Sequence, residues 1–429
     1  MTEAAAGTPQ ITGRAYLKLI GLGALIGIPA ALLAALFLAL IHELENLLWH
    51  DLPDVLGYDT PPWYLVLLLP TVGAALVLAA RRLLPGDGGH RPVDGFGASS
   101  PTPVAYMPGV ALAAIGSLAF GAVLGPEAPL IALGSAVGLA VTHFVDVDPA
   151  HHKVLAMAGA FSAISALFGG PLAAGILLIE AGLGLGNLLI PLLIPGLVAA
   201  AIGFLIFTGF GDWGGLEQTE LSVPGLPPYQ EVHFGDLLLA VVAGVLIALA
   251  VTASFAIARR VGAGEERIGT GKLLLAGGLA IGLIAVVADA LGASYDDVLF
   301  SGQASIPNLV TETSASVLAV VLAAKLLAYA ICLGCGFRGG QVFPAIFLGI
   351  AVAMFAVIAF DVSPTLAVAV GTAAGSAAAT RLLFASIVIG SLLVGSAGAD
   401  AVPGAILAGV AAWVTVTALE RAPQRRTAE

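Results

Sequence analysis

The sequence predicts an all-α integral membrane protein whose apolar helices are interrupted at membrane depth. Three observations carry this reading. First, 59% of the 429 residues are hydrophobic and only 10% are charged, with a mean hydropathy of +1.03. A soluble domain carries roughly 25% charged residues, so this chain cannot cover a water-facing surface of its size. Second, apolar stretches recur at Leu17–Leu44, Trp63–Ala80, Phe234–Ile257, Lys272–Ala290, Ala315–Leu333 and Ala401–Leu419. Each is long enough, or nearly so, to cross about 30 Å of hydrocarbon. Third, 55 glycines and 25 prolines punctuate the apolar sequence. Small residues let helices approach closely in lipid, and breaks at membrane depth are tolerated where they line a cavity.

Charge placement gives a topology. Basic residues gather at Arg14 and Lys18, at Arg81 and Arg82, at Arg259, Arg260 and Arg267, and at Arg421, Arg425 and Arg426. Short cytoplasmic loops favour Lys and Arg, which puts these groups inside. Acidic residues alternate with them along the chain, at Glu43 to Asp59, Asp212 to Asp236 and Asp289 to Asp297. The expectation is a multi-pass protein of the cell membrane with both termini cytoplasmic. Its parts would be a tail over 1–16, a first membrane half over 17–210, an extracellular linker over 211–232, a second half over 233–420 and a tail over 421–429. The first half begins inside and the second outside, so a repeat between them is inverted. The stretch from Gly159 to Ala181 resembles Gly371 to Gly390 in the spacing of its small residues.

Several function classes are disfavoured. A net charge of -11 with no basic stripe argues against nucleic acid. Cys332 and Cys335 lack the further ligands a zinc site needs and read as buried thiols, and no metal or other cofactor is expected. The seven histidines fall mostly in loops, without an HExxH pattern, and no Gly-rich loop ends in Lys-Ser or Lys-Thr to bind ATP. The apolar run from Leu17 is too long for the centre of a signal peptide and reads as a retained helix.

Two segments, near Gly121–Ala140 and Phe337–Phe355, open with Gly and Pro and continue as apolar helices. The first opening, Leu124 to Leu130, reads LGPEAPL. Pro129 suits a first helical turn, where N–H groups have no intrahelical partner. Glu127 is an ionisable residue flanked by apolar sequence, which makes it a functional candidate. A helix start can stabilise its carboxylate, and would stabilise a halide in the same way. Glu127 therefore reads as a tethered competitor that occupies the anion's place when ionised, with helix capping as the alternative.

The second opening, Gly336 to Gly349, reads GFRGGQVFPAIFLG. Gly339 and Gly340 permit a sharp turn, and Pro344 fits an early helical position. Arg338 fits either an anion attractor at a pathway mouth or a snorkelling cytoplasmic residue. Lys325, within an apolar helix, would add positive potential near the path or pair with an acid. A third loop, Pro85 to Gly97, can bend at Gly88 and Gly89 to present N–H groups, with His90 beside them.

These loops, in this order, resemble the CLC family of chloride channels and proton-coupled chloride exchangers. Members carry a Gly-rich loop ending in Pro, a G-[KR]-E-G-P segment and a GG-x-F-x-P segment. Here they read Gly88-Gly89-His90-Arg91-Pro92, Gly125-Pro126-Glu127-Ala128-Pro129 and Gly339-Gly340-Gln341-Val342-Phe343-Pro344. Phe168 to Ala181 and Ala293 to Gly302 also look like family segments. The resemblance implies that Glu127 is the external gating glutamate and that Gly125, Pro126, Glu127 and Ala128, with Gly340, Gln341, Val342 and Phe343, surround the anion. It implies a homodimer in lipid with a pathway in each subunit and a CLC-like inverted-topology repeat of tilted and re-entrant helices; Gly88, Gly89 and His90 are candidates for an inner-loop anion contact, and Lys325 and Arg338 for electrostatic roles.

Departures from the pattern bear on mechanism. Gly89 stands where a Ser hydroxyl is usual, and no Tyr follows Glu420. The pair of acids near the cytoplasm reads Glu180-Ala181, leaving Glu180 as a proton-route or structural acid. The expected function is movement of a small inorganic anion, chloride first. Proton-coupled exchange, a fluoride-selective transporter and a noncatalytic scaffold stand as alternatives, with an intramembrane enzyme disfavoured.

Overall fold

The computed structural model describes residues 13–95, 101–182, 189–209 and 221–426, and within these the side chains of 150, 189–192, 207–209 and 422–426 are left aside. Fourteen longer helices are labelled here: α1 Gly13–Asn46, α2 Trp63–Leu83, α3 Met107–Leu118, α4 Glu127–Ala140, α5 His152–Leu167, α6 Pro171–Ala181, α7 Leu189–Gly209, α8 Phe234–Gly262, α9 Thr270–Ala290, α10 Ala315–Cys335, α11 Val342–Phe360, α12 Pro364–Thr380, α13 Leu383–Val394 and α14 Val402–Arg426. No strand occurs among the described residues, only an isolated antiparallel bridge between Gly125 and Gly340. Among the described residues, seven helical stretches are long and apolar enough to cross a membrane, and α4, α5 and α6 belong to a shorter apolar class. The chain is thus an all-α, multi-pass membrane protein.

Local chemistry sets the helix ends. Ser314 caps α10 by accepting the Val317 N–H at 3.4 Å, and Pro364 occupies the first turn of α12, where its missing N–H costs nothing. Gly336 ends α10 with φ of +92°. Asp361 and Arg381 end α11 and α12 in the same left-handed conformation.

The chain divides into two compact units, one of Met1–Leu36, Ala98–Met107 and Leu130–Thr219, the other of Phe37–Gly97, Pro108–Pro129 and Glu220–Glu429. One boundary of that division, between Thr219 and Glu220, falls within the 211–232 linker. Residues 37–97 join the later sequence because α2 packs backbone to backbone on α9. A Cβ at Gly278 would lie 2.6 Å from the Pro70 carbonyl oxygen, and one at Gly282 would lie 2.6 Å from that of Leu67. Of the linker itself, 211–220 lie outside the described residues. Its remainder is stitched down, with Val223 N–H donating to Leu393 O at 2.8 Å and Tyr229 N–H to Ala397 O at 2.9 Å. At the C-terminal side, α14 runs to Arg426.

In the first unit, α1 packs on α7 through Gly23 and Gly27, and Ser162 Oγ donates to Gly27 O at 2.7 Å. Leu19, Leu22, Ile26, Ala30, Leu155, Ala158 and Ala199 fill the core beside this contact. Helices α4 and α5 touch at Gly134 and Gly159, where a Cβ on Gly159 would sit 2.0 Å from Gly134 O. In the second unit, α11 and α12 touch in the same manner, a Cβ on Gly349 falling 2.0 Å from Gly371 O. Gly134 stands as far along α4 from Glu127 as Gly349 stands along α11 from Val342. The internal similarity that begins at Gly159 and Gly371 therefore coincides with a repeated helix pair, each with its glycine contact.

These contacts yield a stability prediction. Gly371→Ala, whose Cβ would meet Ile350 backbone atoms at 2.5 Å, should destabilise the protein by about 1–3 kcal/mol. Gly21→Ala, with nothing within 4 Å, is the control. Thermal unfolding in detergent should separate the two variants.

Candidate functional site

The site forms where the loops leading into α4 and α11 pair. Gly125 N–H donates to Gly340 O at 2.8 Å, and Gly340 N–H to Gly125 O at 2.5 Å. These are equivalent positions of the two broken helices, each four residues before the proline of its helix start. The pairing uses polar groups that would otherwise be orphaned at depth and brings both helix starts to one place.

The Glu127 side chain, fully buried, closes this junction. Its Oε1 accepts the N–H groups of Val342 and Phe343, each at 3.0 Å. Both belong to the first turn of α11, where amides lack intrahelical partners and the helix dipole favours negative charge. A Cβ on Gly340 would lie 1.6 Å from Glu127 Oε2, and one on Gly125 would lie 2.2 Å away. Only glycine at both positions leaves room for the carboxylate. A crevice beside the carboxylate is lined by Pro92, Gly95, Glu127, Ala128, Gly339, Gly340 and Gln341. The carboxylate thus occupies a seat whose donors suit any compact anion.

Three buried attachments hold the loops. Val123 N–H donates to Cys332 Sγ at 3.0 Å, Tyr329 OH to Gln341 O at 2.9 Å, and Arg338 N–H to Ser117 Oγ at 2.9 Å. Cys332 is therefore a hydrogen-bonding anchor as well as a buried thiol. Sequence reasoning missed Tyr329 and Ser117. The available signal was the spacing of Lys325, Tyr329 and Cys332, which places them along one face of α10.

The remaining candidates fall into distinct places. Arg338, 1% exposed, donates to Asp87 Oδ2 at 2.6 Å and to Asp87 O at 2.9 and 3.0 Å, so its guanidinium clasps the Pro85–Gly97 loop. Asp87 also takes Arg81 Nε at 2.8 Å. Gly88 and Gly89 turn the loop with positive φ and pack near Ala113 and Val110, and His90 Nε2 bonds Gly95 O at 2.8 Å. The crevice is reached by Pro92 and Gly95 of this loop, and Gly88, Gly89 and His90 are not among its lining residues.

Lys325 is fully buried, and its ammonium donates to Leu299 O at 2.7 Å and Phe300 O at 3.2 Å, 4.6 Å from the Phe347 ring centroid. It ties down the Ala293–Gly302 loop, whose Phe300 N–H reaches Gly121 O at 3.3 Å. In that loop burial pushes the Asp297 carboxyl up to about 6, with Lys325 opposing and Asp296 adding to the shift. Glu180 lies half-buried in the last turn of α6, and Ala181 beside it is exposed. Among the described residues, no group of three His, Cys, Asp or Glu side chains is arranged to hold a metal ion.

The fold and the sequence both have relatives. The putative ion-transport protein YfeO of Escherichia coli O1:K1 is 31% identical over 342 residues, covering 77% of this chain and 76% of that protein, and the O45:K1 strain's protein matches equally. A slow cyanobacterial Cl-/H+ antiporter aligns with a TM-score of 0.76 at 18% identity, over 94% of this chain and 95% of its own. A CLC-type fluoride/proton antiporter aligns at 0.73 and 20% identity, over 94% and 96%. The sequence model of the voltage gated chloride channel family matches residues 93–416. The chain belongs to that family, the CLC family of anion-transporting membrane proteins.

Proposed function

We propose that this protein moves a small inorganic anion, chloride first, across the cell membrane along a path that passes the starts of α4 and α11, with Glu127 as its gate. One observation carries the proposal: Glu127 Oε1 takes two first-turn N–H groups at 3.0 Å in a glycine-walled seat. A halide needs that same set of fixed dipoles to replace part of its hydration shell. When the carboxylate leaves, the donors pass to the anion, and when it returns, the path closes. Backbone donors carry the site, with Gly89 where the family has a Ser hydroxyl. The basic clusters favour cytoplasmic termini, and family resemblance favours a homodimer.

A second reading, proton-coupled exchange, draws on the same carboxylate, which can bind a proton as well as displace an anion. Two structural relatives are described as Cl-/H+ and fluoride/proton antiporters. Fluoride is accordingly the second anion to test.

Purified protein in chloride-loaded liposomes should release chloride, and Glu127→Gln should alter that flux and abolish any accompanying proton movement. Proton uptake driven by the chloride gradient would select exchange, and flux without it would select a channel-like path. No flux of chloride or fluoride would end the transport reading. Gly340→Ala, whose Cβ would displace Glu127 Oε2, should change anion flux in the same direction as Glu127→Gln in the same assay.

A further inference from the structure

Two buried oxygens at this site lack hydrogen-bond partners among the described residues, Glu127 Oε2 and Gln341 Oε1. Such groups are rare in folded proteins, and each calls for an explanation. Gln341 is 2% exposed, and its backbone is already tied by Tyr329 OH. Its amide Nε2 donates to Ala379 O at 3.2 Å, near the C-terminal end of α12, where helix carbonyls lack intrahelical partners. That bond fixes the amide orientation and leaves Oε1 as the free end. Glu127 and Gln341 line the same crevice, and Glu127 Oε2 lies against Gly340, the residue next to Gln341.

Both orphans are acceptors, so neither can satisfy the other while the carboxylate is ionised. A donor carried by one of the two groups would satisfy both. One amide hydrogen goes to Ala379 O and Nε2 makes no bond to Glu127 Oε2, which leaves the acid. One proton added to Oε2 supplies an O–H in the crevice that Gln341 also lines, with no other bond made or broken.

We infer that the Gln341 side chain is a positioning residue for the gate, accepting the hydrogen bond of the protonated Glu127 carboxyl. This rests on the reading of Glu127 as the gate and adds a residue that holds its neutral state. The neighbouring polar groups are otherwise engaged: Tyr329 and Cys332 on α10, and Arg338 with Asp87 in the adjoining loops. Gln341 is thereby left to distinguish the acid from its anion.

Infrared difference spectroscopy on the full-length protein in lipid at acidic pH tests this. The carbonyl stretch of protonated Glu127, identified by its loss in Glu127→Gln, should lie at the low frequency of a hydrogen-bonded acid. Gln341→Met should move it to higher frequency. If that variant does not purify folded, Gln341→Asn, which withdraws the same oxygen by one methylene, should give the same shift. An unmoved band, a band that only intensifies because the amide had been donating to the carboxylate, or no protonated band at all would overturn the inference. The band needs no transport, so a protein whose flux is indifferent to Glu127→Gln would fail the gate reading separately.

Discussion

The structure depends on a buried carboxylate held by the free amides of another helix. A charge taken from water into a low-dielectric interior is costly, and only fixed dipoles or opposite charges offset that cost. Here the dipoles come from the first turn of α11, at Val342 and Phe343. The arrangement requires that α11 begin inside the protein and that the chain before it be irregular but fully hydrogen-bonded. The two-way pairing of Gly125 and Gly340 meets that requirement, and the absence of Cβ atoms there makes space for Glu127.

A seat of this kind transmits any displacement of its loops, so its supports are buried and polar. Tyr329, Cys332 and Ser117 each bond a loop backbone near the junction. The two buried cations serve the same purpose. Arg338 clasps Asp87 with its guanidinium, and Lys325 gathers the Leu299 and Phe300 carbonyls. Neither needs an anion to be satisfied. A planar guanidinium fits a carboxylate and a carbonyl together, whereas an ammonium fits converging carbonyls and an aromatic face.

Glycine contacts stiffen the surroundings by a different route. In lipid, helices gain little from the hydrophobic effect against one another, so close backbone approach and dispersion supply the attachment. The pairs Gly134 with Gly159 and Gly349 with Gly371 show this in corresponding helices of the two units. The Gly349 contact lies on the helix that delivers Val342 and Phe343, so this packing fixes the axis of α11 and its start follows.

Much of this was legible in the sequence because its physics is local. Apolar length set the crossing helices, Gly and Pro marked the breaks, and an acid between prolines in an apolar segment singled out Glu127. The order of the loops was enough to suggest the family. The roles of Arg338, Lys325 and His90 were open because a long or titratable side chain in a loop does not reveal which backbone it meets. Their partners Asp87, Leu299, Phe300 and Gly95 were fixed only when the chain folded. The sequence by itself determined a membrane protein with two broken helices and an acid at one of them, since composition and punctuation act within each segment. Tertiary structure alone decided that Glu127 would take amides more than two hundred residues away and that Gln341 would turn its side chain to Ala379, because those bonds join segments that only packing brings together.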